Sequence, residues 1–162
     1  MSLRDADTSG RRLEITEPPR VPLLDLFFAY GAMAPLIAGA GAVWMVADET
    51  MAALAVQASI LWGGVVLAFL SGVRRGLSFR TPGGPTLAQL AMFLWLFGAG
   101  ILAFALPQGP ALGILVAAYA SMAVLDPVAA RRGEAPIYFA RLRPWQMGLA
   151  VAALVVLWAG AP

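Results

Sequence analysis

Histidine, cysteine and lysine are all absent from this chain of 162 residues, so whatever chemistry it does must come from eleven arginines and nine carboxylates. Without cysteine or histidine there are no disulfides, thiolate nucleophiles, His-ligated metals or haems, imidazole proton relays or His-containing triads. Without lysine there is no Schiff base or lysine-linked cofactor. No Asp-rich metal motif replaces them, and no catalytic residue, metal ligand or cofactor is expected. The residues left with something to do are Asp25, Arg74, Arg75 and Asp126, joined by Arg141 and Arg143. Each stands at the border of a hydrophobic run. A carboxylate just inside such a border is costly and tends to find a partner, and Arg74 or Arg75 is the expected partner of Asp126. Two chemistries fit the cluster: an ion pair that fixes helix register, the preferred reading, or a site for a proton or an anionic ligand.

The elements that must position these residues are membrane helices. A composition of 60% hydrophobic and 12% charged residues is too apolar for a soluble domain of this length. The mean hydropathy of +0.79 says the same. The sequence therefore predicts an all-α, polytopic bundle of five transmembrane helices, spanning residues 26–161 as one domain. The spans fall at 26–47, 51–73, 87–106, 111–130 and 145–161. Residues 1–25 form a polar arm of mixed charge, expected to be disordered, with no cleavable signal peptide. The fourth span is marginal, because Asp126-Pro127 interrupts it. Pro144 is expected to open the fifth.

Small residues recur at helical spacing. In the second span Gly64, Ala68, Gly72 and Gly76 draw a continuous groove along which other helices can come close. Gly31, Pro35 and Gly39 lie four apart in the first span, where Pro35 predicts a kink near Tyr30 and Gly31. Gly113, Ala117 and Ser121 make a second small face in the fourth. The few polar residues within the spans, such as Gln57, Ser59, Ser71 and Gln89, are expected to bond helix carbonyls or neighbouring helices. A Gly-rich loop at Pro82-Gly83-Gly84-Pro85 lacks the lysine and hydroxyl of a phosphate-binding loop.

Sorted by loop, four arginines fall in the N-terminal arm, three after the second span and four after the fourth. All eleven lie on one side of a five-span chain, which by the positive-inside rule puts the N-terminus in the cytoplasm and the C-terminus outside. The net charge of +2 and pI near 9.7 do not point to nucleic acid, since the arginines border the spans. They suit contact with membrane lipids, anionic headgroups among them, or with a membrane protein complex; a homo-oligomer is the other expected association.

The run Trp62 to Gly76, WGGVVLAFLSGVRRG, resembles the SFLGGxxWG signature of uncharacterised domain family 3429, the transmembrane protein 69-like small inner-membrane proteins. Tyr30-Gly31 with Pro35, Asp126 after the fourth helix, and Arg141-Leu142-Arg143 before the fifth extend the likeness over roughly Pro22 to Leu157. Ser71 and Arg75 depart from it where that family often has Gly and Trp. The resemblance implies a small bacterial inner-membrane or mitochondrial protein, and the Ala- and Arg-rich composition fits a bacterial one. It implies no activity.

The expected function follows from what is missing: no span carries an ionisable residue at mid-membrane, where transport and proton pathways place one. The reading is a non-enzymatic accessory, assembly or scaffold factor with an arginine-rich cytoplasmic face. An oligomeric small transporter or channel is the alternative, although no inverted repeat supports it. A lipid-processing enzyme using Asp25 or Asp126 with arginine-held phosphate is a more distant one.

Overall fold

The structure is a computed structural model that describes residues 21–81 and 83–162. Most of the expected polar arm, and Pro82 of the Gly-rich loop, lie outside the described residues. Among the described residues six helices follow one another: α1 Leu23–Gly31, α2 Ala34–Met45, α3 Glu49–Ser78, α4 Leu87–Ala105, α5 Gln108–Arg131 and α6 Phe139–Gly160. Taking α1 and α2 together as Leu23–Met45, five segments among the described residues are long and apolar enough to cross a membrane. Their outward faces keep Leu61, Phe69, Leu94, Ile101, Val124 and Val155 exposed. An apolar exterior around an apolar core is the pattern of a multi-pass membrane protein.

The helices pack in order up and down, α3 chiefly on α4 and α5 on α6, with α2 against α3 and α6. Leu36, Ile60, Leu67, Leu96, Leu112, Leu115, Met122, Met147 and Leu154 fill the shared core. This arrangement gathers the C-terminal ends of α3 and α5 with the N-terminal ends of α1, α4 and α6. Every described arginine lies at that basic end.

The first span departs from expectation in a way Pro35 explains. The chain bends near the expected Tyr30 and Gly31, but as a full break at Ala32-Met33 and not a kink in one helix, and Pro35 stands in the first turn of a new helix, where its missing N–H costs nothing. The break frees carbonyls. Met33 N–H turns to Tyr30 O and Leu36 N–H to Met33 O, leaving Ala29 O and Ala32 O without their i+4 partners. Side chains from two other helices replace them: Gln146 Nε2 donates to Ala29 O at 2.9 Å, and Trp62 Nε1 to Ala32 O at 2.8 Å. Leu23 to Asp25, assigned to the polar arm from sequence, belong to α1.

Other boundaries move outward. Asp48 caps α3 by accepting from Met51 N–H at 2.8 Å, and α3 runs on through Ser78, so Arg74 and Arg75 sit within a helix and not in the loop after one. Thr86 and Gln89 form a reciprocal capping box at the start of α4, and Gln89 Nε2 also donates to Thr81 Oγ1 at 2.9 Å. Gln108, Gly109 and Pro110, left between the expected spans 87–106 and 111–130, form the first turn of α5, whose 24 residues span about 36 Å and are no longer marginal. Pro144 lies inside α6, which begins six residues before the expected Trp145.

The small-residue groove is used over only part of its length. A methyl group at Gly64 would sit 2.9 Å from Gly100 O, and one at Gly100 would sit 2.8 Å from Gly64 O and 3.4 Å from Ala68 N, so α3 and α4 touch backbone to backbone there. Gly72 and Gly76 face open space, as does Gly31. Gly39 lies against Ser59 and Ala55 of α3. The α5 face divides: Gly113 packs on Trp158 of α6, Ala117 is exposed, and Ser121 accepts from Trp95 Nε1 of α4 at 3.0 Å. Four-residue spacing drifts around a helix of 3.6 residues per turn, so one stripe meets different neighbours at different heights.

Candidate functional site

Three helices each bring one charged residue to the same level of the basic end. In α3 the buried positions Leu67, Leu70, Ser71 and Ser78 bracket Arg74 at three- and four-residue steps. In α5 the buried stripe Leu115, Ala118, Met122, Asp126, Ala129 has the same steps, and in α6 so does Arg143, Met147, Ala150, Leu154, Leu157. The charged residues therefore occupy core positions. Asp126 is 2% exposed and Arg143 6%.

They meet around one carboxylate. Arg74 Nε donates to Asp126 Oδ1 at 2.7 Å, and Arg143 Nε lies 3.3 Å from Asp126 Oδ2, outside hydrogen-bonding geometry. Arg143 makes further contacts along its own helix, donating through Nη1 to Gln146 Oε1 at 3.1 Å and stacking 4.5 Å over the Phe139 ring. Gln146 in turn holds Ala29 O, so the ionic cluster is tied to the break in the first span. Asp126 and Arg143 each directly precede a proline inside their helix. A proline cannot donate to the carbonyl four residues back, which loosens α5 and α6 at the level where the charges meet.

Arg74, and not Arg75, is the partner of Asp126. One residue turns a helix by about 100°, which takes Arg75 off the core stripe. Its guanidinium donates to Ser78 Oγ at 3.0 Å and stacks 4.2 Å over Phe79. Asp25 stands apart from the ionic cluster and accepts from Tyr138 O–H at 2.9 Å, clamping the start of α1 to the start of α6. Arg141 is exposed, together with Arg80, Arg131 and Arg132.

The void beside Arg74 and Asp126 measures about 20 Å³, room for about one water. Two arginines on one carboxylate act as a clamp between α3, α5 and α6. Removing one partner of such a buried set leaves an uncompensated charge, which costs about 3–5 kcal/mol.

The mid-bundle polar groups are tied to the backbone. Tyr119 O–H donates to Gly63 O at 2.8 Å, Ser59 Oγ to Ala55 O at 2.8 Å and Ser71 Oγ to Ala68 O at 2.6 Å. Sequence reasoning missed Tyr119, Gln146 and the Asp25–Tyr138 contact. Continuing the α6 stripe backwards from Met147 reaches both Arg143 and Phe139, a signal obscured by taking Pro144 as a helix start. Comparison with protein-family models, with curated proteins and with solved structures gives no match.

Proposed function

We propose that the protein is a multi-pass protein of the bacterial inner membrane, N-terminus in the cytoplasm and C-terminus outside, acting as a non-enzymatic accessory, assembly or scaffold factor. The observation that carries this reading is the fate of the arginines. Those that reach the interior, Arg74 and Arg143, are engaged by Asp126, whereas Arg80, Arg131, Arg132 and Arg141 are exposed at the same end. Internal charge is spent on holding helices together, and external charge is left for a surface. Each exposed arginine near an anionic membrane surface contributes on the order of 1 kcal/mol, and the same surface suits an acidic face on a partner complex. The positive-inside rule supports the orientation, and the resemblance to domain family 3429 supports the inner-membrane placement as part of the same proposal.

Purification of the full chain in mild detergent, with identification of what travels with it, tests the reading. A stoichiometric protein partner is expected, released by salt and by Arg131→Gln with Arg132→Gln. A chain that emerges only as a homo-oligomer, with a melting temperature raised by a specific solute, would favour transport and overturn it. Reporter fusions after Trp158 should report the side opposite the N-terminus.

A further inference from the structure

Arg143 has a second side. A cavity of about 440 Å³ opens between α1, α3 and α6, inside the ~300–1,000 Å³ range of small-molecule sites. Its wall is apolar, formed by Phe28 on α1, Trp62 and Phe69 on α3 and Leu142 on α6, and its charged and amide groups are Asp25, Arg143 and Gln146, with the Tyr138 hydroxyl beside them. The cavity has a direction. Asp25 lies in the first turn of α1 and Tyr138 just before α6, both at the basic end, whereas Trp62 stands twelve residues, about 18 Å, before Arg74 along α3. One end is charged and the rest runs apolar towards the middle of the bundle.

The space exists because α1 stands off the bundle. None of its residues is buried, and Leu24, Phe27 and Phe28 are at least 70% exposed. Polar contacts from the described residues tie it to α6, among them Tyr138 O–H to Asp25 and Gln146 Nε2 to Ala29 O. A helix held by its ends over an apolar gap leaves room for something long, thin and apolar.

We propose that this cavity holds an acyl chain of one zwitterionic phospholipid with a primary-amine head, the amine meeting Asp25 and the phosphate meeting Arg143. The charges on the cavity wall match a head that carries both signs. Arg143 and Asp25 both line the cavity, so its wall carries one guanidinium and one carboxylate, and the carboxylate accepts from Tyr138 O–H. A purely anionic head would meet Arg143 but bring no positive group of its own to the Asp25 carboxylate. The proposal rests on the membrane reading above, so membrane fractionation of each variant is measured first.

The test is native mass spectrometry of the full chain purified in mild detergent, with phosphatidylethanolamine and phosphatidylglycerol added as competing probes. One phosphatidylethanolamine per chain is expected to survive. Ala29→Phe and, separately, Val65→Phe project bulk into the cavity from α1 and α3 and should abolish that adduct. Asp25→Asn keeps an acceptor for Tyr138 and should lower the preference for phosphatidylethanolamine over phosphatidylglycerol about tenfold. Equal retention by wild type and both phenylalanine variants means surrounding lipid only and overturns the proposal, as does equal retention of the two lipids by wild type. A wild-type chain that fractionates with membranes but keeps no lipid overturns the cavity assignment alone. A chain that does not fractionate with membranes overturns the membrane reading instead.

Discussion

The two ends of the bundle are held together by different physics. At the basic end α3, α5 and α6 meet through Arg74, Asp126 and Arg143, and α1 joins through Asp25–Tyr138 and Gln146–Ala29. Towards the other end the joints are steric. Gly113 lies against Trp158, and Gly160 lets Val43 and Trp44 within 2.8 Å of where a methyl group would stand, while Trp44 Nε1 donates to Val156 O at 3.2 Å. Between the ends, Gly64 and Gly100 bring two backbones into contact. Charge pairing is directional and tolerates the looser packing around the standoff helix α1. Backbone contact is short-ranged and tolerates no added atom. The space of about 440 Å³ at the charged end is lined by Asp25, Arg143 and Gln146, whereas the space of about 310 Å³ between α2 and α3 is lined by Pro35, Gly39, Ser59 and alanines, with no charged group.

The largest effect is expected from breaking the charged joint. Asp126→Ala leaves the buried Arg143 and the half-buried Arg74 without their carboxylate and should destabilise the protein by about 3–5 kcal/mol, read as thermal unfolding in detergent. Replacing all three members together, Arg74→Met with Asp126→Leu and Arg143→Met, should restore most of that loss, because the desolvation cost disappears with the charges. If the triple variant is as unstable as the single one, the cluster is not a self-contained clamp.

Next comes the steric joint. Gly64→Val or Gly100→Val forces α3 and α4 apart and should cost about 1–3 kcal/mol by the same measurement. A smaller loss, about 1 kcal/mol, is expected for Trp62→Phe, which keeps the ring but removes the donor to Ala32 O at the break in the first span. The smallest is expected at the open half of the groove: Gly72→Ala and Gly76→Ala should change stability by no more than ~0.5 kcal/mol in the unfavourable direction, since nothing lies where the methyl would go. A large loss there would mean that this face is covered by a partner.

The spans and the gathering of the seven described arginines at one end were legible because both are properties of runs, and runs survive without knowledge of neighbours. The partner of Asp126 was legible to within one residue, with Arg75 excluded only by the phase of α3. Boundaries were read too short at Leu23, Ser78, Gln108 and Phe139, in each case because a charge or a proline was taken as a stop. Arg74, Arg141 and Pro144 all lie inside helices, since a helix end that is capped or carries on beyond the apolar stretch pays no penalty for a charged residue. The open half of the Gly64 to Gly76 groove could not be foreseen, because four-residue spacing marks where an approach is permitted and not whether a neighbour makes it.

The amino-acid sequence alone determined the helical class, the number of long apolar segments and the gathering of arginine beside their ends, all of which follow from local composition and the length a helix needs. Tertiary structure decided which guanidinium faces Asp126, which carbonyls Trp62 and Gln146 rescue at the Ala32-Met33 break, and where α1 leaves a space. Those depend on the rotation and height of each helix against its neighbours, and a shift of one residue, 100° and 1.5 Å, changes every one of them.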